Sequence, residues 1–230
     1  MIDGLNLEHI DVDGAIREGA DAVAGDTRMS FLRKGAIAGG TALSGGAMLG
    51  AIAAPALAAG SRPPASFGAG DVGILQFALT LEYLEAAFYN EATAHGAVKS
   101  AQLRTFLRTV TKDENAHVAF LRKGLTAAGV KPVAKPKFNF HGTTRNEAKF
   151  AATALALENT GVHAYLGQAG NLQTPKYLLA AASIVTIEAR HAGVIGLILG
   201  KAIAPSGPFD TGLPASAILK AVKKTKFIVG

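Results

Sequence analysis

Hydrophobic residues recur every three or four positions in four long segments of the chain, a spacing that places them on one face of an α-helix. Short connections separate the first helix from the second and the third from the fourth, whereas a longer loop links the two pairs. The pattern predicts an all-α domain, most simply a four-helix bundle built from two helical hairpins. The predicted helices span about residues 71–95, 100–128, 143–170 and 175–201.

Several residues at the ends of these segments are typical helix boundaries. Glu147 follows Thr144 by three residues, which predicts a capping box at the start of the third helix. Thr174 and Pro175 predict a cap and a first-turn proline for the fourth helix. After Pro205 we expect a loop and then a short Lys-rich helix from about residue 214.

Ionisable residues interrupt the apolar stripe of every predicted bundle helix. An isolated carboxylate in an apolar core costs several kcal/mol unless it pairs with, or binds, a cation. No Lys or Arg falls on these stripes, so a pair of divalent metal ions is the simplest source of compensating charge. The residues concerned are Glu82 in the first helix, Glu114 and His117 in the second, Glu158 in the third, and Glu188 and His191 in the fourth.

The spacing of these residues indicates an internal duplication. Glu114 follows Glu82 by 32 residues, and Glu188 follows Glu158 by 30, so each half reads as Glu, a turn, and then Glu-x-x-His. One Glu-x-x-His sequence is common on a solvated helix face, whereas two, each preceded by a helix that bears a Glu, indicate a metal site. The alternative is a set of paired core polar groups without metal.

This arrangement resembles the ferritin-like family of di-iron and di-manganese carboxylate bundles over residues 71–201. In that family a Tyr follows the first-helix Glu by seven residues, and its hydroxyl can hydrogen-bond a carboxylate ligand. Tyr89 follows Glu82 in this way, and Tyr165 follows Glu158. The wording around Glu82 is most similar to exported ferritin-like proteins rather than to ferritin itself.

The resemblance implies two iron or two manganese ions, since both metals accept this mixture of carboxylate and imidazole ligands. A pair of such ions can pass electrons to dioxygen or peroxide, so the expected activity is ferroxidase, peroxidase or catalase-like. The resemblance also implies roles for the six residues. Glu82 and Glu158 would be terminal ligands, Glu114 and Glu188 bridging ligands, and His117 and His191 would each supply one nitrogen.

Two positions depart from the simplest form of this pattern. Glu85 lies one turn beyond Glu82 within the apolar arc of the same helix, and three roles remain open: support of a ligand, a spare ligand, or pairing with a Lys. The Tyr spacing favours Glu82 as the ligand. Gly161 stands where rubrerythrins have an additional Glu. Gly161, Gly193 and Gly196 either allow close helix approach or leave room for a small oxidant.

Composition narrows the classes of function. The 230 residues are 49% hydrophobic and 17% charged, which suffices for one well-buried domain with an appendage. The chain has no Cys, which excludes a disulfide scaffold, a zinc–thiolate site, an iron–sulfur cluster and a rubredoxin-like centre. Residues 59–230 contain ten acidic residues, too few to favour mineral storage in addition to the predicted site.

Charge is distributed unevenly along the chain. Residues 1–26 hold seven acidic residues and one Arg, whereas residues 59–230 hold nineteen basic and ten acidic residues. The basic residues are scattered, which argues against a nucleic-acid partner. The exception is a Lys cluster in the C-terminal tail, for which a solvated surface is the favoured interpretation and anionic lipid or a protein partner the alternative. The cluster comprises Lys220, Lys223, Lys224 and Lys226.

The N-terminal residues predict export. Residues 35–61 contain no charge, follow basic residues, and include Ala56-Leu57-Ala58, a small-x-small sequence that predicts cleavage before Ala59. The preceding residues resemble the twin-arginine export pattern, but Met29 stands in place of the second Arg. The alternatives are a start at Met29 with an ordinary secretory signal, or a membrane anchor over residues 35–59.

The sequence therefore predicts an exported dinuclear metal protein, with oxidoreductase activity toward ferrous ions, dioxygen or peroxide. The alternative is a non-catalytic structural or stress-associated envelope protein that uses the bundle as a scaffold. Contact with a membrane surface through residues 1–60 or the basic tail, and homo-oligomerisation, are left open. The predicted regions are an acidic amphipathic leader (1–26), an export signal or anchor (27–60), a linker (61–70), the ferritin-like bundle (71–201) and the tail (202–230).

Overall fold

The computed structural model describes residues 61–229. Five α-helices dominate this part of the chain, together with two short 3-10 helices, Ala65–Phe67 and Thr143–Arg145. Two strands of two residues each complete the secondary structure. The elements are α1 (Gly70–His95), α2 (Ala101–Ala127), β1 (Lys137–Phe138), α3 (Glu147–Ala169), α4 (Pro175–Ile198), α5 (Ala215–Thr225) and β2 (Ile228–Val229).

Helices α1 to α4 form a bundle of two hairpins. Helix α1 packs along α2, and α3 packs along α4, with further contacts between α1 and α3 and between α2 and α4. Residues 128–146 form the long connection between the hairpins. The predicted all-α, ferritin-like four-helix bundle with a long crossover and a short C-terminal helix is thereby confirmed.

The bundle core consists of two apolar clusters. One contains Phe88, Phe106 and Phe150, and the other contains Leu79, Leu125 and Ile184. Along α2 and α4 these clusters lie on opposite sides of the Glu-x-x-His positions. The ionisable layer is therefore bounded by apolar packing above and below, which limits the access of water to it.

The C-terminal tail folds back onto the bundle. The apolar side of α5 packs on α3, with Ile218 and Val222 buried. Strand β2 then pairs antiparallel with β1 in the long connection, Phe138 opposite Ile228. The two strands were not predicted, because two residues are too few to show an alternating pattern. The apolar face of the Lys-rich helix is thus covered by the bundle.

Two predicted helix starts differ in detail from the structure. Thr144 lies in a 3-10 helix, so the predicted capping box is wrong: Asn146 is the N-cap of α3, and its Oδ1 accepts the N–H of Lys149 at 3.0 Å. Glu147 instead accepts the N–H groups of Lys99 and Ser100. The cause is tertiary, since the carboxylate meets the unpaired donors before α2.

The start of α4 depends on a similar contact between elements. Pro175 occupies its first turn as predicted, but Thr174 makes no side-chain cap. The carboxylate of Asp71 in α1 accepts the N–H groups of Gln173 and Thr174 at 3.0 and 2.8 Å. A side chain from a different helix therefore satisfies these donors.

Among residues 61–229, α4 is the one helix that is long and apolar enough to span a membrane. Length and composition alone are weak support for a span, because helices of globular bundles share them. In this structure α4 packs on α3 and directs Glu188 into the core. The predicted leader and the export signal or anchor lie outside the described residues.

Candidate metal centre

All six residues of the predicted ligand set meet in the centre of the bundle. The side chains of Glu82, Glu114, Glu158 and Glu188 are fully buried, and His191 is 6% exposed. His117 is also largely enclosed, with 11% of its side chain exposed. Each helix contributes one carboxylate because its apolar stripe faces the bundle axis and the Glu lies within that stripe.

The ligand atoms form two overlapping groups of four. Within each group every donor atom lies within 4.8 Å of the others, close enough to surround one cation. Glu114 and Glu188 belong to both groups, as two bridging carboxylates would. The first group is Glu82, Glu114, His117 and Glu188, and the second is Glu114, Glu158, Glu188 and His191.

Several carboxylate oxygens in this layer have no hydrogen-bond donor. Nδ1 of His191 lies 3.1 Å from Oε2 of Glu158 and 3.2 Å from Oε1 of Glu114, but one N–H serves only one of them well. Unsatisfied buried oxygens are costly, and a cation between them removes that cost. The donor set therefore fits a metal. The oxygens without a hydrogen bond are Oε2 of Glu82, Oε1 of Glu114 and both oxygens of Glu188.

The two tyrosines cross the bundle to reach their partners. Tyr165 donates its hydroxyl to Oε1 of Glu82 at 2.5 Å, and Tyr89 donates its hydroxyl to Oε1 of Glu158. Each phenol thus holds the carboxylate of the other hairpin rather than that of its own helix. The hydrogen bond from Tyr to carboxylate was expected, whereas the exchange between hairpins follows from how α1 packs on α3.

Glu85 belongs to the same buried layer. Its side chain is 3% exposed, and among residues 61–229 it makes no ion pair, so the predicted Lys pairing is wrong. Gly161 explains how it fits: a Cβ at that position would lie 2.5 Å from Oε2 of Glu188 and 3.3 Å from Oε1 of Glu85. The glycine gives these two carboxylates space, and carboxylate oxygens rather than an empty pocket occupy it.

Burial and mutual repulsion disfavour the charged carboxylates. Burial, followed by the neighbouring carboxylates, raises the pKa of Glu85 and of Glu188 well above the usual range. Burial also raises the pKa of Glu114 to about 7, although nearby imidazoles partly oppose this shift. In the absence of a metal, the layer therefore retains protons at neutral pH.

The two histidines are affected in the opposite sense. Burial opposes the charged imidazole of His191, but hydrogen bonds to Glu114 and Glu158 outweigh it and raise the pKa of His191 to about 11. The same balance raises the pKa of His117, whose carboxylate partners include Glu114 and Glu188. In both rings Nδ1 faces the carboxylates, so Nδ1 is the nitrogen that would bind a cation held there.

The sequence analysis missed one residue beside the centre. Oδ2 of Asp113 lies 3.2 Å from Nε2 of His191, on the side of the ring that faces away from the carboxylate layer. Both residues line an open groove of about 770 Å³ between α2 and α4, next to Phe106 and Arg190. Asp113 precedes Glu114 on the partly exposed edge of α2, and helical periodicity within α2 gives no sign that it contacts α4.

Comparisons with known proteins agree with this architecture. The family model described as ferritin-like domain matches residues 70–201. The structure is similar to that of a conserved hypothetical protein, rv2844, from Mycobacterium tuberculosis, with a TM-score of 0.50 and 21% sequence identity, over 56% of this chain and 90% of that one. That likeness shows the fold. No curated protein gives a significant match. The chain belongs to the ferritin-like domain family.

Proposed function

We propose that this protein binds two iron or two manganese ions in the Glu and His layer and acts as an oxidoreductase on ferrous ions, dioxygen or peroxide. In this proposal Glu82 and Glu158 are terminal ligands, and Glu114 and Glu188 bridge the ions. The remaining ligands are Nδ1 of His117 and Nδ1 of His191. When bound, the metals would supply the redox chemistry.

The observation that carries this proposal is the surplus of buried carboxylate oxygens. Four oxygen atoms of Glu82, Glu114 and Glu188 have no hydrogen-bond donor, at the place where two groups of four ligand atoms overlap. The four predicted ligand carboxylates carry a formal charge that two divalent ions would balance, with both imidazoles neutral. Such a balance offsets the cost of burying the carboxylates.

The other residues of the layer would hold these ligands in position. The hydroxyls of Tyr89 and Tyr165 each donate to one terminal carboxylate and leave its second oxygen directed at the centre. The apolar clusters on both sides restrict water. The groove beside His191 offers small oxidants an approach from solvent.

One observation favours the alternative of a metal-free scaffold. Nδ1 of His117 lies within 3.3 Å of oxygens of Glu82, Glu114 and Glu188, so an imidazolium would itself compensate part of the buried charge. A bundle that keeps its protons in this way needs no metal to fold. The two candidates differ in whether the purified protein contains metal and turns over.

Metal analysis of the full chain separates the candidates. We expect about two iron or manganese ions per chain, and none in the Glu114→Gln, Glu188→Gln double variant, which keeps side-chain size and removes both shared ligands. A Glu91→Gln, Glu147→Gln double variant is the matched control, since both carboxylates lie outside the layer, and it should retain the metal. Loaded protein should then oxidise ferrous ions or consume peroxide. Absence of metal from every form would support the scaffold.

We also propose that the protein is exported through residues 27–60. Support comes from the uncharged stretch over residues 35–61 and the small residues before Ala59. N-terminal sequencing of the protein from the envelope fraction should find Ala59 as the first residue. Full-length protein in the membrane fraction would instead support an anchor.

A further inference from the structure

The two halves of the bundle match at each ligand and supporting tyrosine but differ at one neighbouring position. In α2 the residue before the bridging Glu is Asp113, and in α4 the corresponding residue is Ile187. The duplication therefore provides a carboxylate beside only one of the two shared glutamates. The matched pairs are Glu82 with Glu158, Tyr89 with Tyr165, Glu114 with Glu188, and His117 with His191.

This difference leaves the two imidazoles in unlike surroundings. His191 has a partner on both ring nitrogens: Nδ1 faces the carboxylates of the layer, and Nε2 lies 3.2 Å from Oδ2 of Asp113. His117 has carboxylates around Nδ1 only, and its Nε2 has no hydrogen-bond partner within residues 61–229. Asp113 makes no ion pair with Lys or Arg in that part of the chain, so His191 is its partner.

A carboxylate on the far nitrogen changes what an imidazole does as a ligand. It fixes the tautomer that presents Nδ1 to the metal, restrains the ring, and makes the ligating nitrogen more basic. Loss of such a partner typically lowers metal affinity by about 10- to 100-fold. Asp113 is 35% exposed, so water competes for its oxygens and the lower end of that range applies here.

We infer that the two metal positions are inequivalent, and that the position formed by Glu114, Glu158, Glu188 and His191 binds its ion first because Asp113 orients His191. This inference rests on the proposed dinuclear site. Asp113 acts here as a positioning residue, since it reaches the metal only through the imidazole. The position that includes His117 would fill second.

Variants that disable one position at a time test this order in the full-length protein. Glu82→Gln removes a ligand used only by the His117 position, and Glu158→Gln removes one used only by the His191 position. Co²⁺ affinity is measured by competition with a chelator. We expect Glu82→Gln to bind one ion about tenfold more tightly than Glu158→Gln. Each substitution leaves one Tyr hydroxyl beside an amide, so the pair is matched.

Asp113→Asn tests the cause of the difference. In that background the tenfold gap should close to within about threefold, through weaker binding by the Glu82→Gln form alone. The melting temperature of the metal-free protein should remain unchanged, which separates positioning from a structural role. Asp210→Asn, in the exposed tail, is the control and should preserve the gap.

Two results would overturn the inference, and they differ from failure of the proposed function. Equal affinity of the Glu82→Gln and Glu158→Gln forms with Asp113 intact would show that the positions are equivalent. Equal weakening of both forms by Asp113→Asn would show a general effect of charge. If unmodified protein binds no Co²⁺, iron or manganese at all, the proposed function fails and this inference fails with it.

Discussion

The stability of the metal-free protein should fall as pH rises from 5 to 8. Glu85, Glu114 and Glu188 have pKa values raised in the folded state, and so do His117 and His191. The folded chain therefore binds more protons than the unfolded chain across this interval. Because stability decreases with pH wherever the folded state holds more protons, every one of these groups contributes in the same direction.

Glu114 provides a magnitude for this effect. Its pKa moves from 4.5 to about 7 on folding. With about 1.4 kcal/mol per pKa unit, the stabilisation present at low pH decreases by about 2.5 kcal/mol between pH 5 and pH 8. For a domain of this size that corresponds to a melting temperature lower by about 5–10 °C. Asp71 and Glu147, whose pKa values are lowered, lose stability only under more acidic conditions.

The assay is thermal unfolding followed by circular dichroism, on chelator-treated protein at pH 5 and pH 8. Metal-loaded protein should show the opposite slope, because metal binds the deprotonated ligands. Glu114→Gln should reduce the slope of the metal-free form, whereas Glu91→Gln, on the same bundle but more than a third exposed, should not. A chelated protein as stable at pH 8 as at pH 5 would refute the electrostatic reasoning.

Three further substitutions test the packing of the layer. Tyr89→Phe removes the donor to Glu158 and should cost about 1.5–3 kcal/mol in urea unfolding; a loss below 0.5 kcal/mol, a bound set by roughly the weakest hydrogen bonds, would contradict that contact. Gly161→Ala would normally favour a helix by about 1 kcal/mol, but its Cβ would displace Glu188, so metal affinity should drop about tenfold; unchanged affinity would count against the crowding. Glu85→Gln removes a buried charge and should raise the melting temperature of metal-free protein at pH 8, whereas a lower value would show that the charge is compensated.

The helices and the six candidate ligands follow from local periodicity. A Glu within an apolar stripe, such as Glu114, must face the core if the helix packs at all, so its burial could be predicted without a structure. The spacing of Glu-x-x-His adds the imidazole on the same face. The N-cap of α3 could not be read in the same way, because Thr144 and Asn146 are both suitable caps and the 3-10 turn decides between them.

The sequence by itself determined which residues share a helix face: the carboxylate layer, the two Glu-x-x-His pairs, and a Tyr seven residues after each first Glu. Tertiary structure alone decided which partners meet across helices. Tyr89 reaches Glu158, Glu85 fits beside Gly161, and Asp113 contacts His191 because of how the two hairpins pack. The physical reason is that 3.6-residue periodicity constrains directions within one helix, whereas contacts between helices depend on their relative rotation and spacing.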